Sequence, residues 1–126
     1  MDVFGHITVQ VERDLYESNF EKPLTVSKIE NLFDPQKQPV KQQIATIDKD
    51  RKVHTMVNYK NKKLLLIGGW SQGLLGGKNY HNSVYQLSLE THKVSELPSM
   101  NKGRSCAASC VHNGRVYVAG GLVAGG

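Results

Sequence analysis

The sequence predicts an all-β fold built from a repeated unit, on three observations. Two apolar runs end in paired glycines, LLLIGG at 64–69 and VYVAGG at 116–121, set 52 residues apart. Asn113-Gly114 separates two β-prone runs, and Asn-Gly suits a type I′ hairpin turn, whose two central residues need positive φ. No stretch sustains an apolar period of 3.6 residues; the basic segment 36–43 has Pro35 and Pro39 against a helix.

Each expected element follows from the repeat. Keeping the 52-residue spacing without a gap aligns KVHTMVNYKNKKLLLIGGW, from Lys52, with RSCAASCVHNGRVYVAGGL, from Arg104. Both read as basic residue, short strand, turn, β-prone strand and double glycine. The turn matching Asn113-Gly114 is then Asn61-Lys62. KIENLFDPQKQPV, from Lys28, resembles SVYQLSLETHKV, from Ser83, when Val40 is matched to Val94. Upstream, ITVQVE at 7–12 reads as a degenerate copy of the strand before the glycines, with Val11 and Glu12 in place of the pair. Strands are therefore expected near 54–59, 64–69, 83–88, 93–97, 105–111 and 115–121.

Composition bounds the class. The 126 residues are 39% hydrophobic and 21% charged, the balance of a single globular unit. Eleven of the twelve glycines follow residue 67, which concentrates the turn chemistry in the second half. The first residues lack a basic start and an apolar core, and the longest apolar run, 64–67, is far too short to span a bilayer. A soluble cytoplasmic protein with no membrane partner is expected. Cys106 and Cys110 fall four apart in an expected strand, roughly 13 Å from each other, too far to bridge. Reduced thiols are the expectation.

The net charge of +5 raises nucleic acid as a partner. Residues 37–63 hold eight basic side chains against Asp48 and Asp50, but at turn-like positions without aromatics interleaved at the regular spacing a stacking platform needs. A solvated loop surface is expected there, with no nucleic-acid partner. The glycine-rich GGWSQGLLGGKN fails as a phosphate loop twice: Gln72 stands where Gly77-Lys78 needs a glycine, and Asn79 replaces Ser or Thr. Cys106, Cys110 and His112 spread along a strand rather than converge, and His6, His54, His81 and His92 have no paired spacing, so no metal is expected. No nucleophile elbow or paired carboxylates stand out. The expectation is a non-enzyme with no cofactor.

The combined motifs resemble the kelch repeat family. They are Gly68-Gly69 and Gly120-Gly121, Phe33-Asp34-Pro35 with its looser counterpart Leu87-Ser88-Leu89-Glu90-Thr91, and Leu97-Pro98-Ser99-Met100 followed by Arg104. The resemblance spans most of 28–121. Two departures stand out: Val40 and Val94 occupy the place of the family's outer-strand tryptophan, and the first copy lacks Pro-Met. The resemblance implies a partial kelch-type β-propeller of antiparallel four-stranded blades around a channel. Residues 1–27 would be a degenerate leading strand and loop. Residues 28–126 would be kelch repeats, with one complete blade at about 53–98 flanked by partial ones.

By the same resemblance the chain is a protein–protein interaction module of a substrate-recognition or scaffold propeller, such as a ubiquitin-ligase adaptor. An actin-binding kelch protein is the alternative, and part of a propeller oxidase or sugar epimerase is the alternative of another class. The loops 70–82 and 101–106 open on one end of such a propeller. They carry Trp70, Gln72, Tyr80, His81, Asn82, Arg104 and Ser105, the expected protein-binding residues, since loops on a rigid scaffold carry recognition. Four have a structural alternative: Trp70 packing between blades, Arg104 bracing the fold, Tyr80 and His81 starting a strand. Propellers close with four to eight blades. A piece of a longer propeller is therefore expected; the alternative is a homo-oligomer, in which three chains would supply six blades.

Overall fold

The computed structural model describes residues 6–19, 24–47, 51–52 and 54–123. Asp48, Lys49 and Asp50 of the basic stretch lie outside them, as does Val53, the expected start of the complete blade. The described residues form twelve strands and no helix. The first sheet is β1 (His6–Val11), β2 (Asp14–Asn19), β3 (Leu24–Glu30) and β4 (Val40–Ile47), an antiparallel meander in chain order. The second comprises β5 (Thr55–Tyr59), β6 (Lys63–Ile67), β9 (Val84–Ser88) and β10 (Val94–Leu97), in that order across the sheet. Between β6 and β9 a separate hairpin is made by β7 (Trp70–Gln72) and β8 (Lys78–Tyr80). A third unit starts with the antiparallel pair β11 (Ala108–His112) and β12 (Arg115–Ala119).

The first strands of successive units, β1, β5 and β11, pack side by side, so each sheet is a blade and its first strand lies innermost. Thr55 Oγ1 donates to the Ala107 carbonyl at 2.9 Å across the second and third units, near the inner strands. The turn of the third unit has Asn113 at φ 52° and Gly114 at φ 75°, the backbone that Asn-Gly predicts.

Three details differ from the sequence reading. The segment before residue 28 is more than a leading strand and loop, because β1 and β2 join β3 and β4 in a four-stranded sheet. The 7–12 segment falls largely in β1, the innermost strand, with Glu12 already in the turn, and the counterpart of β6 is β2, where Asp14, Glu17, Ser18 and Asn19 mask the β signal. The turn between β5 and β6 is three residues, 60–62, with Lys60 and Asn61 at positive φ, one residue longer than Asn113-Gly114. That extra residue shifts the alignment, so Arg51 rather than Lys52 corresponds to Arg104: the bridge Lys52–Trp70 matches the bridge Ser105–Leu122. Finally, Cys106 precedes β11 at φ 56°, outside the strand that was to separate the two thiols; both cysteines are free and exposed.

Burial explains the apolar patterns. In β6, Leu64 and Leu66 pack with Val11, Tyr16, Leu24, Val26, Ile47, Met56 and Leu87 in a core between the first two blades. Leu65 and Ile67 point the other way, with Val84, toward Val116 and Val118 of the third unit. A strand covered on both faces reads as a continuous apolar run, which LLLI is. The glycine pair after it turns the chain away: Gly68 has φ +66°, and a Cβ there would overlap the Arg104 carbonyl oxygen. At the outer edge Val40 is 53% exposed, so the residue at the family's tryptophan position covers little in the first blade.

Candidate functional site

The β7–β8 hairpin stands at the end of the blade marked by the glycine pairs. Gly68-Gly69 sends the chain out of β6, and Trp70 pairs its backbone with Lys52 through N–H···O bonds of 2.9 and 2.8 Å. The hairpin register sets Trp70 opposite Tyr80 and Gln72 opposite Lys78. The Lys78 and Lys52 ammonium groups lie 4.5 and 5.0 Å from the centroid of the Trp70 ring, so the ring face and the cations stabilise one another.

The base of the hairpin is tied to the linker that leads into the third unit. The Gly69 N–H donates to the Arg104 carbonyl at 2.9 Å, the His81 N–H to the Gly69 carbonyl at 2.9 Å, and the Arg104 N–H to the His81 carbonyl at 3.1 Å. Met100 N–H donates to the Asn82 carbonyl, and the Asn82 side-chain amide to the Met100 carbonyl. Gly103 lies so close that a Cβ would overlap the Tyr80 carbonyl. Ser71 is buried, with its Oγ 2.7 Å from His81 Nε2. The hairpin is anchored at its base and open at its tip.

The expected site residues divide accordingly. Trp70, Gln72, Tyr80, His81, Asn82 and Arg104 are brought to one end, with Gln72 and Asn82 exposed and the other four half-buried. The Arg104 guanidinium donates to the Gly120 carbonyl at 2.9 Å, which commits part of it to the fold. Ser105 differs: it is 2% exposed and paired by backbone hydrogen bonds with Leu122, so it faces the interior rather than a partner. The sequence reading missed Leu74 and Leu75 at the hairpin tip, and Lys52 and Lys78 beside Trp70. Two leucines between glycines in a loop were the available signal.

A second polar cluster lies between the first two blades. His54 Nε2 is 2.6 Å from Ser18 Oγ, and both residues are buried. Burial, and then the Arg51 charge, lower the His54 pKa from 6.5 to about 4, so the imidazole is neutral at neutral pH. Among the described residues no three His, Cys, Asp or Glu side chains are grouped to hold a metal ion.

The Kelch motif matches residues 57–101, from within β5 to just past β10. The chain carries a kelch repeat. The match is narrower than the 28–121 of the sequence resemblance, and it coincides with the second blade. The solved structure of YjhT superposes with a TM-score of 0.77 at 18% identity, over 94% of this chain and 34% of that one. At that identity the likeness is one of fold, and the fold is a partial kelch-type β-propeller of antiparallel four-stranded blades. The chain thus spans about a third of the YjhT chain's length. No curated protein sequence matches it significantly.

Proposed function

We propose that this chain supplies part of the recognition face of a kelch-type propeller, cytoplasmic and non-catalytic, that binds another protein as a substrate-recognition or scaffold module. The observation that carries the reading is the hairpin at the glycine-pair end. It presents a cross-strand Trp70–Tyr80 pair beside exposed Gln72 and Asn82, on a base fixed by backbone hydrogen bonds to the next unit. Aromatic side chains on a rigid support lose little entropy when a partner covers them, and such residues dominate protein interfaces.

The test compares cross-linked partners recovered from cells by the wild-type chain and by a Gln72→Ala/Tyr80→Ala variant. A defined partner set, reduced roughly tenfold in the variant with an unchanged far-UV CD spectrum, is the expected result. Equal recovery by the two proteins would refute the reading.

A further inference from the structure

The fold gives Leu74 and Leu75 nothing to pack against. They occupy the tip of the β7–β8 hairpin at relative exposures of 104% and 102%. A Cβ added at Gly76 or Gly77 would meet nothing within 4 Å, so these tip positions stand clear of the body. Isolated exposed leucines are ordinary on protein surfaces; two in sequence at the apex of an anchored protrusion form a convex apolar point.

The tip also satisfies backbone groups internally. The Gly73 N–H donates to the Gly77 carbonyl at 2.6 Å and the Gly76 N–H to the Gly73 carbonyl at 3.2 Å. The Gln72 side-chain amide donates to the Gly76 carbonyl at 2.8 Å. These bonds hold the tip in one conformation, which lowers the entropy cost of docking it.

Among the described residues, the surrounding charge has one sign. Strands β6 and β12 run toward this end and β9 and β11 run away from it, so segments 68–83, 98–107 and 120–123 meet there, with 51–52 beside Trp70. Their described residues include Arg51, Lys52, Lys78, Lys102 and Arg104 and no Asp or Glu. Glu90 lies in the turn at the opposite end and Glu96 within β10.

We propose that the hairpin tip docks on an anionic lipid surface. Leu74 and Leu75 enter the acyl boundary, and the exposed Lys52, Lys78 and Lys102 meet the headgroups, whereas Arg51 is buried and bonded to Ser83. The tip favours a lipid surface over a protein pocket because it is convex and offers apolar side chains without a directed polar group between them. Two leucines alone hold a membrane only marginally; a basic collar is the second signal that such peripheral contacts need. The contact requires no span, and among the described residues no helix is long and apolar enough to make one.

Co-sedimentation of the purified chain with vesicles tests this. Phosphatidylcholine vesicles containing phosphatidylserine should pellet the chain, phosphatidylcholine alone should pellet it less, and added salt should release it. Leu74→Asp/Leu75→Asp and the milder Leu74→Ser/Leu75→Ser should each lower the pelleted fraction roughly tenfold with far-UV CD unchanged. The proposal is overturned if phosphatidylserine vesicles leave the wild-type chain in solution, or if both tip variants pellet as wild type does. It is overturned equally if the tip variants lose a protein partner while the wild-type chain ignores vesicles, for the tip is then a peg for a protein pocket.

Discussion

Acidification should destabilise the contact between the first two blades through one residue, His54. Its side chain is 3% exposed, and its Nε2 meets Ser18 Oγ, whose residue is fully buried at the end of β2. Burial first, and the nearby Arg51 charge second, lower its pKa from 6.5 to about 4. In the unfolded chain the imidazole takes up a proton below pH 6.5, whereas the folded protein resists protonation until about pH 4. The stability contributed by the neutral form is therefore complete above pH 6.5 and is lost progressively as pH falls toward about 4. At about 1.4 kcal/mol for each pH step, that window is worth roughly 3 kcal/mol. Urea unfolding of the wild type and of His54→Gln, followed by far-UV CD from neutral pH down to about 4, measures it. Acidic groups elsewhere titrate in both proteins and cancel in the difference. The stability advantage of the wild type over the variant should shrink by roughly 3 kcal/mol across the window. A difference that stays constant with pH would refute a neutral, buried His54.

The same unfolding measurement checks three further expectations. Leu64→Ala opens a hole in the core between the first two blades and should cost about 2–5 kcal/mol, whereas Leu74→Ala at the exposed tip should change stability by less than about 0.5 kcal/mol. Gly68→Ala should cost clearly more than Gly76→Ala. Both glycines have positive φ, but only the first substitution also drives a methyl group into the Arg104 carbonyl. Thr55→Val removes the hydroxyl donor to Ala107 and leaves that carbonyl without this bond between units, a loss of about 1 kcal/mol that should appear as a lower urea midpoint with an unchanged slope.

Much of the second blade was legible because its β6 strand is covered on both sides. Leu64 to Ile67 stand out as a continuous apolar run, and the glycines after it mark a backbone that only a residue without Cβ adopts easily at Gly68. Asn113-Gly114 was legible for the same kind of reason, since positive φ at two consecutive residues narrows the chemistry. The first blade was harder to read. Its β2 strand buries Tyr16 and Ser18 on one face and places Leu15 and Glu17 on the other, so four of its six residues carry no apolar signal, and it ends in Asn19 where β6 and β12 run into glycine. The one-residue lengthening of the 60–62 turn was hidden too, because an ungapped alignment anchored on the glycines spreads that shift silently over the preceding strand. At the site, residue type marked Trp70, Gln72 and Tyr80, but burial of Ser105 depends on its backbone pairing with Leu122, a contact between distant residues that no local pattern announces.

The strands thus record how many faces of each blade are covered. Strand β6 is apolar at every position from Leu64 to Ile67 and has a neighbour on each side. In β12, Val116 and Val118 turn to the second blade, while Tyr117 on the opposite face is 50% exposed. In β2 the face turned away from Tyr16 and Ser18 carries Leu15 and Glu17, and Glu17 forms a 3.0 Å ion pair with Lys41 across the sheet. The hairpin tip departs from this logic. Leu74 and Leu75 are as apolar as anything in β6, yet they lie beyond the anchoring hydrogen bonds where no blade packs on them. Core packing accounts for LLLI and cannot account for the pair between Gly73 and Gly76. That is why the tip, and not the longer apolar runs, is the place to look for contact with something outside the fold.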